Sequence, residues 1–352
     1  MIPSVRASAL VEHLLFALLL ALLSAAGTWL MLHRVRIMDR PNARSSHRVP
    51  TPRGGGVAIV VTFLAGLSAI RLFGDSSQIH RHYFWAFLLS ALLIAAISLY
   101  DDIKEKSFQI KLLTHVVAVA VAMAAGLTLD ARTVPALQGH PVLAGAVTAL
   151  WLVGMTNAYN FMDGIDGLAA TTAIIAALFF AAITLSAGSN FAYLVSFVIA
   201  ASAAGFLWFN RPPARIFMGD VGSAFLGFVL AALALMAASY DKAHTSFFVM
   251  PLLLLHFIFD TSFTMARRIL AGENPTQAHR SHLYQLLVRM GRTHAQVTLL
   301  YGALGLLQGA AALWIPHLSG LQRLWPFVPF LLLYTVAAVA LTRRARAAGL
   351  IP

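Results

Sequence analysis

The sequence predicts an all-α, polytopic integral membrane protein with about 11 transmembrane helices, and three observations predict it. Hydrophobic residues make up 59% of the 352-residue chain and charged residues only 11%, less than half the roughly 25% of a soluble domain. Mean hydropathy is +0.78. Charge-free apolar runs of about 20 residues, the length that crosses a hydrocarbon core as a helix, recur along the chain. Together these exclude a soluble globular enzyme, a disordered chain and a disulfide scaffold. The absence of cysteine also excludes Cys-ligated zinc and thiol nucleophiles.

The spans fall at roughly 10–32, 54–72, 82–100, 111–129, 141–160, 165–187, 190–209, 219–239, 244–266, 297–318 and 324–342. These runs are about twice as long as a barrel strand needs, and an isolated strand cannot satisfy its backbone in lipid, so each is read as a helix. The first is read as a retained span and not a signal peptide, because its apolar region is too long and no small-residue cleavage site follows it. No repeat or low-complexity segment stands out. Residues 1–352 are therefore expected to form a single membrane domain.

Orientation follows from Lys and Arg. The loop after the first span holds Arg34, Arg36, Arg40, Arg44, Arg48 and Arg53. Placing it in the cytoplasm puts the loops after the third, fifth, seventh and ninth spans on the same side, with the C-terminal tail. Those segments hold 19 of the 25 basic residues, all except Arg6, Arg71, Arg81, Arg132, Lys242 and Arg323. The positive-inside rule then places the N-terminus outside and the working face in the cytoplasm. The net charge of +12 is assigned to contact with anionic membrane lipids, with no nucleic acid partner.

Polar groups near a bilayer are costly, so their positions carry information. Nine of the 13 acidic residues fall on the predicted cytoplasmic side: Asp39, Asp101, Asp102, Glu105, Asp163, Asp166, Asp220, Asp260 and Glu273. Asp101 and Asp102 are adjacent at a helix tip, where two carboxylates repel unless a cation lies near them. Mg2+ would serve, since it takes oxygen ligands and keeps phosphate oxygens in its shell; a solvated loop start is the alternative. Asn157, Asn160, Asp163 and Asp166 converge within one short turn, whereas a plain turn needs a single Asn or Asp. Asn210, Phe217, Gly219, Asp220 and Gly222 flank the prolines at 212 and 213, and the glycines would let backbone approach a ligand. Asp220 at a helix N-terminus also complements the helix dipole without any ligand, and Phe217 could stack on a base or anchor at the interface. His279, Arg280 and His282 suit an anionic group better than zinc, because Arg clamps phosphate in a fork; a basic loop on lipid headgroups is the alternative. The Gly54–Gly56 run is weak evidence for phosphate contact. Lys111 either snorkels or reaches a phosphate near Asp102. Asp260, inside the ninth span, needs a partner that the sequence does not name.

These segments, in this order, resemble the polyprenyl-phosphate N-acetylhexosamine-1-phosphate transferase superfamily (glycosyltransferase family 4). The closer likeness is to bacterial undecaprenyl-phosphate transferases that begin O-antigen and related glycans. The likeness rests on Asp39-Arg40-Pro41-Asn42 through His47 to Gly56, Asp101-Asp102, Lys111, Asn157 to Leu168, Phe217 to Ser223, and Arg280-Ser281-His282. It spans residues about 39 to 285. It implies transfer of a sugar-1-phosphate from UDP-N-acetylhexosamine to undecaprenyl phosphate in the bacterial inner (cytoplasmic) membrane, with release of UMP. It implies Mg2+, or Mn2+ in its place, held by Asp220 and Asn160. Asp166 and Phe217 would hold the uracil, Asn210 the nucleotide sugar, and Lys111 a phosphate near the lipid acceptor. Arg280 and His282 would face the diphosphate and sugar. Asn157 would belong to the substrate-binding turn. Asp101 and Asp102 would be catalytic residues, Asp101 as a base on the lipid phosphate, while Asp102 and Asp163 lack a specific role. A homodimer follows by analogy only.

One departure bears on the sugar. Relatives often carry His-x-His-His in the last cytoplasmic loop, and here Tyr284 and Gln285 replace two of the histidines. Both can hydrogen-bond a hydroxyl or acetamido group, so N-acetylglucosamine, N-acetylfucosamine and N-acetylquinovosamine all remain open. The competing class is a transporter or flippase for an anionic lipid-linked or nucleotide sugar. Such proteins usually carry ionisable groups at the bilayer midplane on repeat-related helices; here the acids gather at one face, apart from Asp260.

Overall fold

The computed structural model describes residues 7–35, 37–39, 49–74, 79–104, 108–129, 133–241, 244–274, 277 and 279–352. It is all-α and polytopic. The helices are α1 (Ala7–Arg34), α2 (Gly56–Phe73), α3 (Arg81–Lys104), α4 (Phe108–Ala124), α5 (Pro141–Phe161), α6 (Leu168–Ser186) and α7 (Asn190–Asn210). They continue with α8 (Asp220–Ser239), α9 (Val249–Leu253), α10 (Leu255–Leu270), α11 (Leu283–Arg289), α12 (His294–Ala312) and α13 (Phe327–Ala347).

Among the described residues, nine helical stretches are long and apolar enough to cross a membrane. The other two predicted spans look different in the structure. The fourth is α4, an apolar helix of 17 residues that ends in a turn where Gly126 takes φ +93°. The ninth is divided at Leu254 (φ −105°, ψ 11°) into α9 and α10. The second piece carries His256, Asp260, Arg267 and Arg268, all buried, which lowers its hydropathy.

Helix α8 is the axis of the bundle. Every residue of its 18-residue apolar window is buried, and it packs against α2, α3 and α5. Its sequence alternates Ala, Gly and Ser with Phe, Leu and Val, and small residues allow backbones to approach in a membrane where no hydrophobic force draws helices together. At Gly227 a Cβ would stand 2.6 Å from the Met155 carbonyl oxygen. Helices α1 and α2 lie on α7, and α6 lies between α7 and α12. The outward faces of α1 and α13 expose Leu15, Leu19, Leu22, Leu332 and Val336, as lipid-facing helices do.

Two strands that the hydropathy pattern did not predict also appear. β1 (Ile37–Asp39) pairs antiparallel with β2 (Thr51–Arg53), with Met38 opposite Pro52. Three residues are too few to leave a periodic signature. Arg40, Pro41, Asn42, Arg44, His47, Arg48, Arg36, Glu105, Ala278, Arg6, Arg132 and Lys242 lie outside the described residues.

Candidate active site

One end of the bundle gathers the C-terminal ends of α3, α5, α7 and α10 with the N-terminal ends of α2, α4, α6, α8, α11 and α12. Its wall is a backbone seam. The Phe217 N–H donates to the Pro52 carbonyl (2.8 Å), Gly55 N–H to the Phe217 carbonyl (3.0 Å), and Gly56 N–H to the Met218 carbonyl (2.8 Å). The segment leading into α8 is thereby stitched to β2 and the start of α2. At the seam's end, a Cβ on Gly56 would stand 2.4 Å from the Gly222 Cα, and one on Gly222 would stand 2.7 Å from the Gly56 Cα. These two glycines serve helix contact, not the approach of a ligand that the sequence suggested for the Gly54–Gly56 run and Gly222. A Cβ on Gly55 would meet the Phe206 ring at 2.4 Å.

Lys111, in the first turn of α4, stands between two carboxylates. Its Nζ forms ion pairs with Asp101 and, at 2.6 Å, with Asp220 Oδ2. Asp102 faces the other way. Its Oδ1 accepts the Asp220 N–H at 3.1 Å and its Oδ2 the Val221 N–H at 3.0 Å. α8 has no side-chain cap of its own, so Asp102 caps it from α3, matching negative charge to unpaired N–H groups. Gly219 makes room: its φ is +75° and a Cβ there would lie 2.7 Å from Asp102 Oδ2. The Arg53 guanidinium donates to the Asp102 backbone carbonyl. In the sequence Arg53 counts only as one of the loop's basic residues and as part of the resembling stretch; its place beside Asp102 emerges only once 51–53 pairs with 37–39.

The turn between α5 and α6 forms the floor. The Ser223 hydroxyl donates to Asn160 Oδ1 (3.0 Å), one helical turn beyond Asp220. Asn157 donates to the Val153 carbonyl (2.8 Å) and lies 3.3 Å from His115 Nδ1. Asp163 is half-buried. Its carboxyl is pushed well above the ordinary range, first by burial and then by the charges of Asp220, Asp102 and Asp166. Asp166 is turned to the side: its Oδ2 accepts the Ala214 N–H (3.1 Å) and its Oδ1 lies 3.2 Å from His294 Nδ1. Asn210 is buried, and both ends of its amide are engaged, Oδ1 by the Gly167 N–H and Nδ2 by the Ile216 carbonyl, each at 2.9 Å. It joins the two loops that border the site. Phe217 is half-buried beside them.

The far wall comes from α10 and α11. The His282 ring is stacked at 6.0 Å on Phe161, at the end of α5, and at 5.9 Å on Tyr284. Tyr284 is fully buried; its hydroxyl donates to the Phe161 carbonyl (2.9 Å), and a Cβ on Gly164 would overlap it. Gln285 Oε1 accepts the His282 N–H (3.3 Å). The two side chains that replace histidines thus hold the loop from inside. Arg280 is half-exposed at the rim, its carbonyl accepting from Arg289. His279 packs on His282 at 4.8 Å. Burial, and then the neighbouring His282, Arg268 and Arg267, push the His279 imidazole down to about 3, so it is neutral at pH 7.

Among the described residues, no group of three or more His, Asp or Glu side chains is arranged as a metal cage. Mg2+ needs none, since it binds through one or two carboxylates together with substrate phosphates and water. Asp163 and Asp220 with the Asn160 amide oxygen are hard oxygen donors of the right kind. Burial and the neighbouring carboxylates both raise Asp163, and a cation bound there would offset that crowding.

Known proteins are similar to this chain over most of its length. A model of glycosyl transferase family 4 matches residues 84–238. The chain is 33% identical over 284 residues to the probable undecaprenyl-phosphate N-acetylglucosaminyl 1-phosphate transferase of Bacillus subtilis (strain 168), covering 80% of this chain and 77% of that one. It is 28% identical over 334 residues to the decaprenyl-phosphate N-acetylglucosaminephosphotransferase of Mycolicibacterium smegmatis, covering 86% and 82%. Over 257 residues it is 28% identical to the undecaprenyl-phosphate alpha-N-acetylglucosaminyl 1-phosphate transferase of Thermotoga maritima, covering 73% and 74%.

Proposed function

The chain belongs to glycosyl transferase family 4, and on that premise we propose that it transfers N-acetylhexosamine-1-phosphate from a UDP-sugar to undecaprenyl phosphate. UMP leaves and undecaprenyl-diphospho-sugar stays in the membrane. N-acetylglucosamine is the first sugar to test, because the relatives are named for it. On this reading the site faces the cytoplasm of a bacterial inner membrane, an orientation the basic loops support, and the product begins an O-antigen or related envelope glycan.

One observation above the others supports this reading: Lys111 is held between Asp101 and Asp220 where further carboxylates converge at a single end of the bundle. An ammonium group among carboxylates, at the level where a lipid headgroup meets the cytosol, suits the meeting of two anionic phosphates. A transporter would carry such groups at the midplane.

The chemistry is a displacement at phosphorus. An oxygen of the lipid phosphate bonds to the β-phosphorus of the UDP-sugar, and the bond from that phosphorus to the bridging oxygen breaks, so UMP takes the electron pair. A phosphate monoester has a second pKa of about 6 and is largely dianionic at pH 7, so a base has little to remove. Asp101 holds Lys111 and orients it toward the acceptor phosphate. Arg280 and His282 bear on the diphosphate from the opposite wall. Orientation and charge neutralisation are then the main contributions. Asp220 and Asn160, with Asp163 beside them, would hold Mg2+, which would supply further neutralisation of the diphosphate. Attack is direct, with no covalent aspartyl intermediate; a sugar-phosphate trapped on Asp101 or Asp102 during turnover would refute that part.

The test is UMP release by purified protein in detergent with undecaprenyl phosphate, Mg2+ and a panel of UDP-N-acetylhexosamines. Lipid-dependent UMP that disappears with chelator and in Asp220→Ala establishes the reaction and names the sugar. A folded protein that releases no UMP from any donor overturns it.

A further inference from the structure

Asp260 is fully buried, lies in α10 away from the carboxylate cluster, and has no part in the reaction as described. Its surroundings are specific. Oδ1 accepts the Leu283 N–H (2.8 Å) and the Thr264 hydroxyl (3.2 Å), and lies 3.3 Å from His282 Nδ1. Oδ2 accepts the Tyr301 hydroxyl (2.8 Å) and the Tyr284 N–H (3.1 Å). One carboxylate thus caps the first turn of α11, joins it to α10 and α12, and engages one chosen nitrogen of His282.

A carboxylate that served only to tie helices together would need nothing from His282. Here the backbone N–H of the residue after His282 and the imidazole Nδ1 converge on the same oxygen. The ring is also fixed in its plane by Phe161 and Tyr284. A hydrogen bond from Nδ1–H to a carboxylate selects the tautomer and leaves Nε2, at the other end of the ring, to act on whatever lies beyond. Bonds of this kind hold a histidine in the orientation its chemistry needs.

We infer that Asp260 is a positioning residue: it holds His282 through Nδ1 so that Nε2 is presented to the sugar-phosphate donor. The inference rests on the transferase reading proposed above. Removing Asp260 acts on turnover through His282, and the two residues form one unit.

The experiment is a double-mutant cycle with Asp260→Asn and His282→Asn, reading kcat and KM for each substrate by UMP release. Each single variant is expected to lose about 10–100-fold in kcat/KM for the nucleotide sugar. The double variant is expected to be no worse than His282→Asn alone. A double variant whose loss is the product of the two single losses overturns the inference, because a helix tie would weaken the protein whatever residue stands at 282. Tyr301→Phe supplies a second cycle if Asp260→Asn does not fold. It removes one donor to Oδ2, and its loss of activity should vanish in the His282→Asn background.

A readout independent of turnover separates this inference from the reaction. In protein labelled with 15N-histidine, the resonances absent from His282→Asn identify His282. They should show a protonated Nδ1 in the wild type that is lost or redistributed in Asp260→Asn or Tyr301→Phe. If the wild type releases no UMP, the transferase reading fails and these resonances alone decide the Asp260–His282 pairing. Unchanged resonances overturn it.

Discussion

Replacing Asp102 with Asn separates a chemical role from a structural one. The carboxylate takes the Asp220 N–H on Oδ1 and the Val221 N–H on Oδ2. An Asn side chain offers one oxygen and one NH2, so one of the two N–H groups would face another donor. A hydrogen bond to a charged group contributes about 1.5–3 kcal/mol, and a negative charge at a helix N-terminus about 0.3–1 kcal/mol. Relief of repulsion from Asp220 returns part of this, leaving a net loss of about 1–3 kcal/mol. Thermal unfolding in detergent should therefore fall by a few degrees. Activity should fall as well, because the displaced turn carries Asp220. Asp102→Ala, which leaves both N–H groups without a partner, should lose more on both measures. Full loss of UMP release in Asp102→Asn with no change in melting temperature would show that Asp102 takes part in the reaction itself and that the capping argument is wrong.

Asp163→Asn should raise the melting temperature of metal-free protein at pH 7–8 while lowering activity. The folded carboxyl is held above its unfolded value of 3.8, so the folded chain binds its proton more tightly and stability declines as pH rises past that value. The amide removes that slope, and Mg2+ should stabilise the wild type more than this variant; equal Mg2+ shifts in both would remove Asp163 from the cation site. His279 runs the other way. Its folded value of about 3 lies below the reference 6.5, so the unfolded chain takes up a proton that the folded chain refuses. Stability should decline as pH falls below about 6.5, and less steeply in His279→Gln, as melting curves between pH 7.5 and 4.5 would record. Gly222→Ala puts a Cβ 2.3 Å from Met218 Cγ and 2.7 Å from the Gly56 Cα, an overpacking that costs about 1–3 kcal/mol. Gly154→Ala, inside α5 with nothing within 4 Å of its Cβ, is the matched control and should melt at or slightly above the wild type, since Ala favours a helix interior over Gly.

The sequence made the helical membrane class legible because long apolar runs have one solution in lipid. The ninth span was the hardest to read, since its break at Leu254 and its buried His256, Asp260 and Arg267 depend on partners elsewhere. Two of the groups that satisfy Asp260 are backbone N–H groups of Leu283 and Tyr284. Every residue but proline has such a group, so no choice of side chain advertises it. The residues of the candidate site were legible because polar side chains at helix ends need a reason. Their individual orientations were not. Asp101 and Asp102 are neighbours in sequence, yet one meets Lys111 and the other caps α8, because successive residues of a helix point about 100° apart. The glycines at 56 and 222 could be recognised as close-approach positions, but their spatial neighbours set what approaches.

The seam between residues 51–56 and 216–218 affects each catalytic cycle. Its hydrogen bonds are all backbone to backbone and continue into the Gly56–Gly222 contact, so Phe217 and Asp220 sit on a wall that is already ordered before any substrate arrives. The entropy of arranging that wall is settled once, as the chain folds, and substrate binding does not have to supply it again at every turnover. The opposite wall, around residues 279–284, is ordered differently, by side chains such as Asp260, Phe161 and Tyr284 and not by a backbone ladder.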